Sequence, residues 1–262
     1  MFDEWIMCNA RLLKAGALIN EMRILVRLWD DKKSTMSVST LSSFRFLNKA
    51  SRRREMDIIS NAFIPRFVKG SPPQAWRIAR ALEDKGIPKE VLLPVYYWIT
   101  VRNEPLVRDF LIEEIEPLYR TGCFSISSHE TVKWLEDKLA KANITWSTST
   151  IRGVAGKILV ILRDFGILQG KTNKKIAHFY LPIASFAYIA FCLSKEIPST
   201  VRLLNHPDWK LFFLTPSDTE QMFLEADRQK LLTYLVAGRI QRIEFPANTY
   251  EGMADVVANR TS

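Results

Sequence analysis

Hydrophobic side chains recur at three- and four-residue spacing through the first 122 residues, which is the pattern of amphipathic helices. Between residues 15 and 29, five apolar positions keep this spacing: Leu18, Met22, Leu25, Val26 and Trp29. Later segments, at 72–86, 88–102 and 104–122, begin beside a proline, and the first and last of them end at a glycine. Proline in the first turn and glycine past the last are the usual punctuation of helices. We predict an N-terminal helical bundle of about five or six helices over residues 1–122.

Two further helices are predicted next, separated by a brief turn. The stretch SSHETVKWLEDKLAKANIT, residues 127–145, places Val132, Leu135 and Leu139 on one face of a short helix. The stretch TSTIRGVAGKILVILRDFG, residues 148–166, predicts a longer helix, which Ser147 or Ser149 can cap and Gly166 can end. The apolar stripe of this second helix consists of Ile151, Val154, Ala155, Ile158, Ile161, Leu162 and Phe165.

A basic hairpin follows the second helix. Residues 167 and 168 are apolar, a turn runs from Gly170 to Lys175, and Ile176 then alternates with polar positions. Helix, turn, helix and basic hairpin is the order of a winged helix. In a helix-turn-helix the second helix lies in the major groove with its N-terminal residues at the base edges, while flanking elements hold the phosphates. We therefore predict a winged-helix-like DNA-binding region over residues 123–183.

The predicted contacts with DNA come from three segments. On the second helix they are Ser147, Ser149, Thr150, Arg152 and Lys157, and on the wing they are Lys171, Asn173, Lys174 and Lys175. A basic run at Arg52, Arg53 and Arg54 extends the predicted footprint. Gly153 and Gly156 lie opposite the apolar stripe, although glycine costs about 1 kcal/mol relative to alanine in a helix interior. We interpret them as places where a DNA backbone or a partner helix comes close.

The last part of the chain, residues 184–262, is predicted to be a small accessory unit of helix and hairpin. The longest nearly apolar run, LPIASFAYIAFCL at 181–193, has about 13 residues, fewer than the roughly 20 that a spanning helix needs, so we read it as a buried helix. A capped helix begins at Pro216, and two strands flank Ala237 and Gly238. The whole chain is thus predicted to be mainly α-helical, with a small α+β unit at its end.

Charge strengthens the nucleic-acid interpretation. The 262 residues contain 37 Lys and Arg against 28 Asp and Glu, which gives a net charge of +9 and favours polyanionic partners. The excess is concentrated: the stretch 147–182 holds six bases against Asp164 alone, and 32–54 holds seven bases and no acid. Residues 183–262 hold eight bases and nine acids, which argues against a main nucleic-acid role for the C-terminal part.

Motifs for catalysis or cofactor binding do not occur in the sequence. The three histidines are far apart, and neither a phosphate-binding loop, a dinucleotide fingerprint nor a nucleophile elbow is present. Three widely spaced cysteines indicate neither a disulfide framework nor a cysteine-rich zinc site, and fit a reducing cytoplasm. We predict a cytoplasmic, non-enzymatic protein without cofactor, metal, small-molecule substrate or membrane partner.

Two segments resemble a known family. KAGALINEMRILVRLW near the N-terminus and WSTSTIRGVAGKILVILRDFGIL in the middle are similar to the BrxA proteins, small subunits of the bacterial BREX phage-defence systems. The middle segment is the more specific, with Trp146 and Ser147, Thr150, and the run from Leu162 to Gly166. The resemblance implies a mostly helical protein whose N-terminal part is NusB-like, with winged-helix character, double-stranded DNA as its ligand and a role in host protection. It supplies no catalytic residues.

From residues and resemblance together we expect a double-stranded DNA-binding subunit that holds DNA mainly through phosphates, with weak sequence preference. One alternative is an assembly subunit whose basic surfaces dock on other subunits of the defence system. Another is a NusB-like RNA-binding factor, against which the shortage of exposed stacking aromatics argues.

Overall fold

The computed structural model describes residues 10–30, 47–49, 51–170, 174–238 and 240–261. The described residues are mainly helical, which confirms the predicted fold class at that level. They belong to two compact units, Met1–Ala75 with Ile99–Phe179, and Trp76–Trp98 with Tyr180–Ser262. This division differs from the three consecutive segments predicted, because residues 76–98 are grouped with the C-terminal residues rather than with the helices on either side of them in sequence.

The first unit is built from helices and a small sheet. Its elements are the 3-10 turn Ala10–Leu13, helix α1 (Ile19–Leu28), helix α2 (Arg52–Ile58) with its π-helical continuation Ile59–Val68, helix α5 (Pro105–Phe110) with its π-helical continuation Leu111–Ile115, helix α6 (Glu116–Thr121), strand β1 (Ser125–Ile126), helix α7 (Ser128–Lys141), helix α8 (Thr148–Asp164), strand β2 (Leu168–Gln169) and strand β3 (Lys174–Ile176).

A buried ion network lies in this unit. Glu104, which is 2% exposed, accepts a 2.7 Å bond from Nε of the fully buried Arg66 and a 3.3 Å bond from Nε of Arg11. Arg66 also donates to the Gly16 carbonyl, and Arg11 donates to the Asn103 carbonyl. The network therefore joins the 3-10 turn, the π-helical segment and the start of α5 across a long stretch of sequence.

The small sheet has the order β1-β3-β2 and is antiparallel throughout. Ser125 lies opposite Lys175, and Gln169 lies opposite Lys175 on its other side. Along the chain, the elements of this region follow in the order α6, β1, α7, α8, β2 and β3, so the sheet joins the strand before the two helices to the hairpin after them. Strand β1 was not predicted, because two residues are too few to show an alternating pattern.

The second unit is also mostly helical. Its elements are helix α3 (Ala75–Asp84, from Trp76 onward), helix α4 (Lys89–Arg102, up to Trp98), helix α9 (Ile183–Glu196), helix α10 (Thr200–Leu204), the 3-10 turn Pro207–Phe212, helix α11 (Pro216–Arg228), strands β4 (Thr233–Ala237) and β5 (Ile240–Glu244), and helix α12 (Tyr250–Thr261). Helix α9 is buried from Ala184 to Leu193, as predicted. The β4–β5 hairpin was predicted, whereas α12 was not.

No helix in the described parts of the chain is long and apolar enough to cross a membrane.

Candidate nucleic-acid interface

Helix α8 begins with a cluster of hydroxyl groups. Ser147 is its N-cap and accepts a 3.2 Å hydrogen bond from the Thr150 backbone N–H. The Ser147 hydroxyl also lies 2.9 Å from those of Ser149 and Thr150. Of the two caps considered from sequence, Ser147 is the one used. The Ser147 hydroxyl thus bonds to both of the others and defines the start of α8, while Ser147 and Ser149 remain exposed.

One exposed face of α8 is centred on Arg152. At 100° per residue, Thr148 and Gly156 lie about 40° on either side of Arg152, and Lys157 lies about 140° away. Thr148, Arg152 and Gly156 are exposed, whereas Lys157 is half-buried. Arg152 forms neither a hydrogen bond nor an ion pair with any residue that the structure describes. The predicted contacts Arg152 and Lys157 therefore lie on different sides of the helix.

The two glycines of α8 have different surroundings. A Cβ atom at Gly153 would lie 2.6 Å from Leu13 Cδ2, so this glycine makes room for the 3-10 turn. A Cβ atom at Gly156 would meet nothing within 4 Å. Gly156 thus fits the predicted open position for a close ligand, whereas Gly153 allows the protein's own N-terminal segment to pack against α8.

A groove of about 510 Å³ lies between α7 and α8. Its α8 side is formed by Thr148, Arg152, Ala155 and Gly156, and its α7 side by Ser128, His129, Val132 and Glu136. The α7 side was missed from sequence, where only the apolar face of that helix was considered. Because α7 and α8 both begin at this groove, first-turn N–H groups of both helices lie near it.

The wing residues are split by their exposure. Lys175 is exposed, and it lies in a solvent-facing row with Ser125 and Gln169 across the three strands. Lys174 is only 7% exposed, which differs from the exposed wing-tip position predicted for it. The reason is the alternation of side chains along a strand, which puts Lys174 on the same face as the buried Ile176. Lys171 and Asn173 lie outside the described residues.

The basic run at the start of α2 is partly used within the protein. Arg52 and Arg53 are exposed in its first turn, with Ser51 as the N-cap. Arg54 is half-buried and donates a 2.6 Å hydrogen bond to the Lys14 carbonyl. Among the described residues, α2 packs mainly on its own π-helical continuation, and Arg54 bonds to the Lys14 carbonyl rather than to α8.

A second cluster fixes α7 from the side opposite the groove. Glu113 accepts a 3.0 Å hydrogen bond from Trp134 Nε1 and another from Lys138, which also pairs with Asp109 at 3.2 Å. Burial alone raises the pKa of Glu113, but the bonds from Lys138 and Trp134 outweigh it, so the pKa is lowered. Burial raises the pKa of Glu114, and the neighbouring charges of Glu113 and Glu130 raise it further.

This second cluster contains acids and lysines in mixed order. Within the described residues, no group of histidine, cysteine, aspartate or glutamate side chains is arranged to hold a metal ion. We assign the cluster to anchoring α7 on α5 and its π-helical continuation, since the lysine and tryptophan donors of α7 already bond to the carboxylates of Asp109 and Glu113.

Comparison with known proteins identifies the family of the chain. No curated protein and no solved structure matches it. The family model described as BrxA matches residues 8–191, which include α7, α8 and the small sheet and exclude the β4–β5 hairpin. The match extends over more than two thirds of the sequence and confirms the resemblance in the N-terminal and middle segments. The chain therefore belongs to the BrxA family and is a component of the BREX type of phage-defence system.

Proposed function

We propose that this BREX component is a non-enzymatic DNA-binding protein that holds duplex DNA through α8 and the β1-β3-β2 sheet. The observation that carries the proposal is the arrangement of these elements: two consecutive helices, then a hairpin whose second strand pairs with a strand preceding both helices. This order supports a winged-helix reading, in which α8 enters the major groove and the hairpin is the wing.

The surface chemistry also favours DNA. Arg152 on α8 and Lys175 on the sheet are exposed cations, and neither is neutralised by an acid in the described part of the protein. Backbone N–H groups at the starts of α7 and α8 add donors of the kind that contact phosphates. Phosphate contacts depend on charge rather than sequence, so we expect affinity to fall steeply with salt.

The test is fluorescence anisotropy with one duplex DNA, its single strand and an RNA hairpin, each at three salt concentrations. We expect salt-sensitive binding to the duplex in preference to the other two. Lys175→Ala is expected to lower affinity evenly across sequences and to reduce the salt slope by about one.

Lys133→Ala is the matched control, because it removes the same charge from the same unit. Lys133 is exposed on α7 but lines the side opposite the α7–α8 groove. If both variants lose the same affinity for DNA, only the net charge of the protein matters. This outcome removes the sheet from the proposed interface. Binding to none of the three nucleic acids contradicts the proposal itself.

A second candidate function is assembly with other BREX proteins, and the β4–β5 hairpin favours it. Leu235, Val236 and Ile240 are 52%, 51% and 72% exposed. Leu235 and Ile240 lie on one face of the hairpin, because Ile240 pairs with Ala237, two residues from Leu235, whereas Val236 lies on the other face. Exposed large apolar side chains that share a face, as Leu235 and Ile240 do, are typical of protein contacts. Assembly is favoured over the first proposal if the protein binds no nucleic acid and forms complexes with other subunits that survive nuclease treatment. The Ile240→Glu variant should then lose these complexes.

A further inference from the structure

Over the first three turns of α8, the exposed face carries a single long hydrogen-bonding side chain. Arg163 lies about 20° around the helix from Arg152, but it is three turns further along and is paired with Asp164. Arg152 lies between Thr148 and Gly156 on this face, and a Cβ atom added at Gly156 would meet nothing within 4 Å. Lys157 is about 140° away around the helix, so it cannot reach the same base edges. The short hydroxyl side chains at the N-terminus are engaged with one another at 2.9 Å. Base recognition by this face therefore depends on Arg152.

Arg152 is available for such a contact. In the same helix, Arg163 is held by Asp164 at 2.9 Å, whereas no described residue holds Arg152. Glu136 lines the groove opposite Arg152 without forming an ion pair with it. Glu136 lies about two turns from the start of α7, and beside its carboxylate a charged phosphate is disfavoured more strongly than an uncharged base edge.

The chemistry of arginine selects one base. Guanidinium only donates hydrogen bonds, and it presents its donors as a planar fork. In the major groove guanine presents two adjacent acceptors, O6 and N7. Adenine presents one acceptor beside a donor, thymine one acceptor beside a methyl group, and cytosine a donor. Guanine is thus the base that matches an isolated arginine.

We propose that Arg152 reads a guanine in the major groove, so that the protein prefers duplexes containing G·C pairs over duplexes containing only A·T pairs. This inference rests on the proposed binding of duplex DNA through α8. A good bidentate contact of this kind corresponds to a preference of about 5- to 150-fold.

Base analogues test the inference directly. Anisotropy is measured with an A·T duplex of mixed order, the same duplex with several G·C pairs, and two copies of the latter in which guanine is replaced by 7-deazaguanine or by hypoxanthine. The first analogue lacks the N7 acceptor of the major groove, whereas the second keeps O6 and N7 and lacks only the minor-groove amino group. We expect 7-deazaguanine to weaken binding several-fold and hypoxanthine to leave it unchanged.

Variants assign the preference to its residue. Arg152→Ala is expected to bind the G·C and A·T duplexes equally, while Arg152→Lys keeps affinity but loses most of the preference. Lys133→Ala is the control, since it removes a charge from the neighbouring helix α7 outside the groove and is expected to leave the preference intact. Arg152 is exposed, so these changes leave the fold in place, which circular dichroism checks.

The outcomes separate the inference from the function on which it rests. No binding to any duplex overturns the proposed function. Salt-sensitive binding that is equal for all four duplexes leaves that function standing and overturns the role of Arg152. A guanine preference that persists in Arg152→Ala, or that is lost with hypoxanthine, also overturns it.

Discussion

Replacing Glu104 is expected to destabilise the first unit strongly. Glu104→Ala removes the carboxylate that pairs with both Arg66 and Arg11. Arg11 retains 18% side-chain exposure and can reach water, but Arg66 has none, so its guanidinium is left as a buried charge. Breaking a buried pair by removing one partner costs about 3–5 kcal/mol, much of which comes from the charge left behind.

The cost is measured by urea titration followed by circular dichroism, since urea, unlike guanidinium, does not screen ion pairs. We expect a loss of about 3–5 kcal/mol in the free energy of unfolding for Glu104→Ala. Adding Arg66→Met should restore part of it, because the second change removes the unpaired charge. The control is Asp255→Asn, which breaks a surface pair with Lys85 whose members are 53% and 35% exposed. It should cost less than about 1 kcal/mol.

A change below about 1 kcal/mol for Glu104→Ala would falsify this reasoning, since it would place Glu104 in the class of surface pairs. A double variant no more stable than the single one would show that the loss comes from packing rather than from an unpaired charge.

Three further predictions concern α8 and its support. Gly156→Ala should raise the free energy of unfolding by about 0.5–1 kcal/mol, because the surroundings of Gly156 are open. Gly153→Ala should raise it less, since the added Cβ meets Leu13. Urea titrations of both variants test this. Ser147→Ala should cost about 1 kcal/mol by loss of the N-cap, and an unchanged midpoint of unfolding contradicts the role of this cap. Glu113 has a lowered pKa in the folded protein, so its bonds stabilise α7 fully above the unfolded pKa near 4.5 and less as pH falls through the folded value. Glu113→Gln should therefore weaken the pH dependence of stability in the acid range, and parallel pH profiles for the two proteins contradict this.

Local patterns in the sequence predicted much of this fold, and long-range contacts explain the rest. The apolar stripes of α7 and α8 follow from helical spacing alone. Lys174 shows a signal that was present but not used: it is two residues before Ile176, so strand alternation already puts it on the buried face. The different roles of Gly153 and Gly156 could not be predicted, because both lie opposite the apolar stripe and only the distant Leu13 distinguishes them.

Only the α8 side of the α7–α8 groove was predicted from the sequence. Arg152 stood out as a cation on a helix, but Glu136 and His129 carry no sequence pattern that assigns them to the same groove. Their meeting depends on how two helices cross, which the turn between them does not encode in a residue pattern.

The close approach of Leu13 to Gly153 has an evolutionary consequence. Two positions 140 residues apart in sequence share one small volume, so neither can change size freely. Among BrxA relatives, a larger residue at the position of Gly153 is expected to accompany a smaller one at the position of Leu13. If the two positions vary independently across the family, the contact is specific to this chain. If they covary, the N-terminal segment and α8 have evolved as one unit.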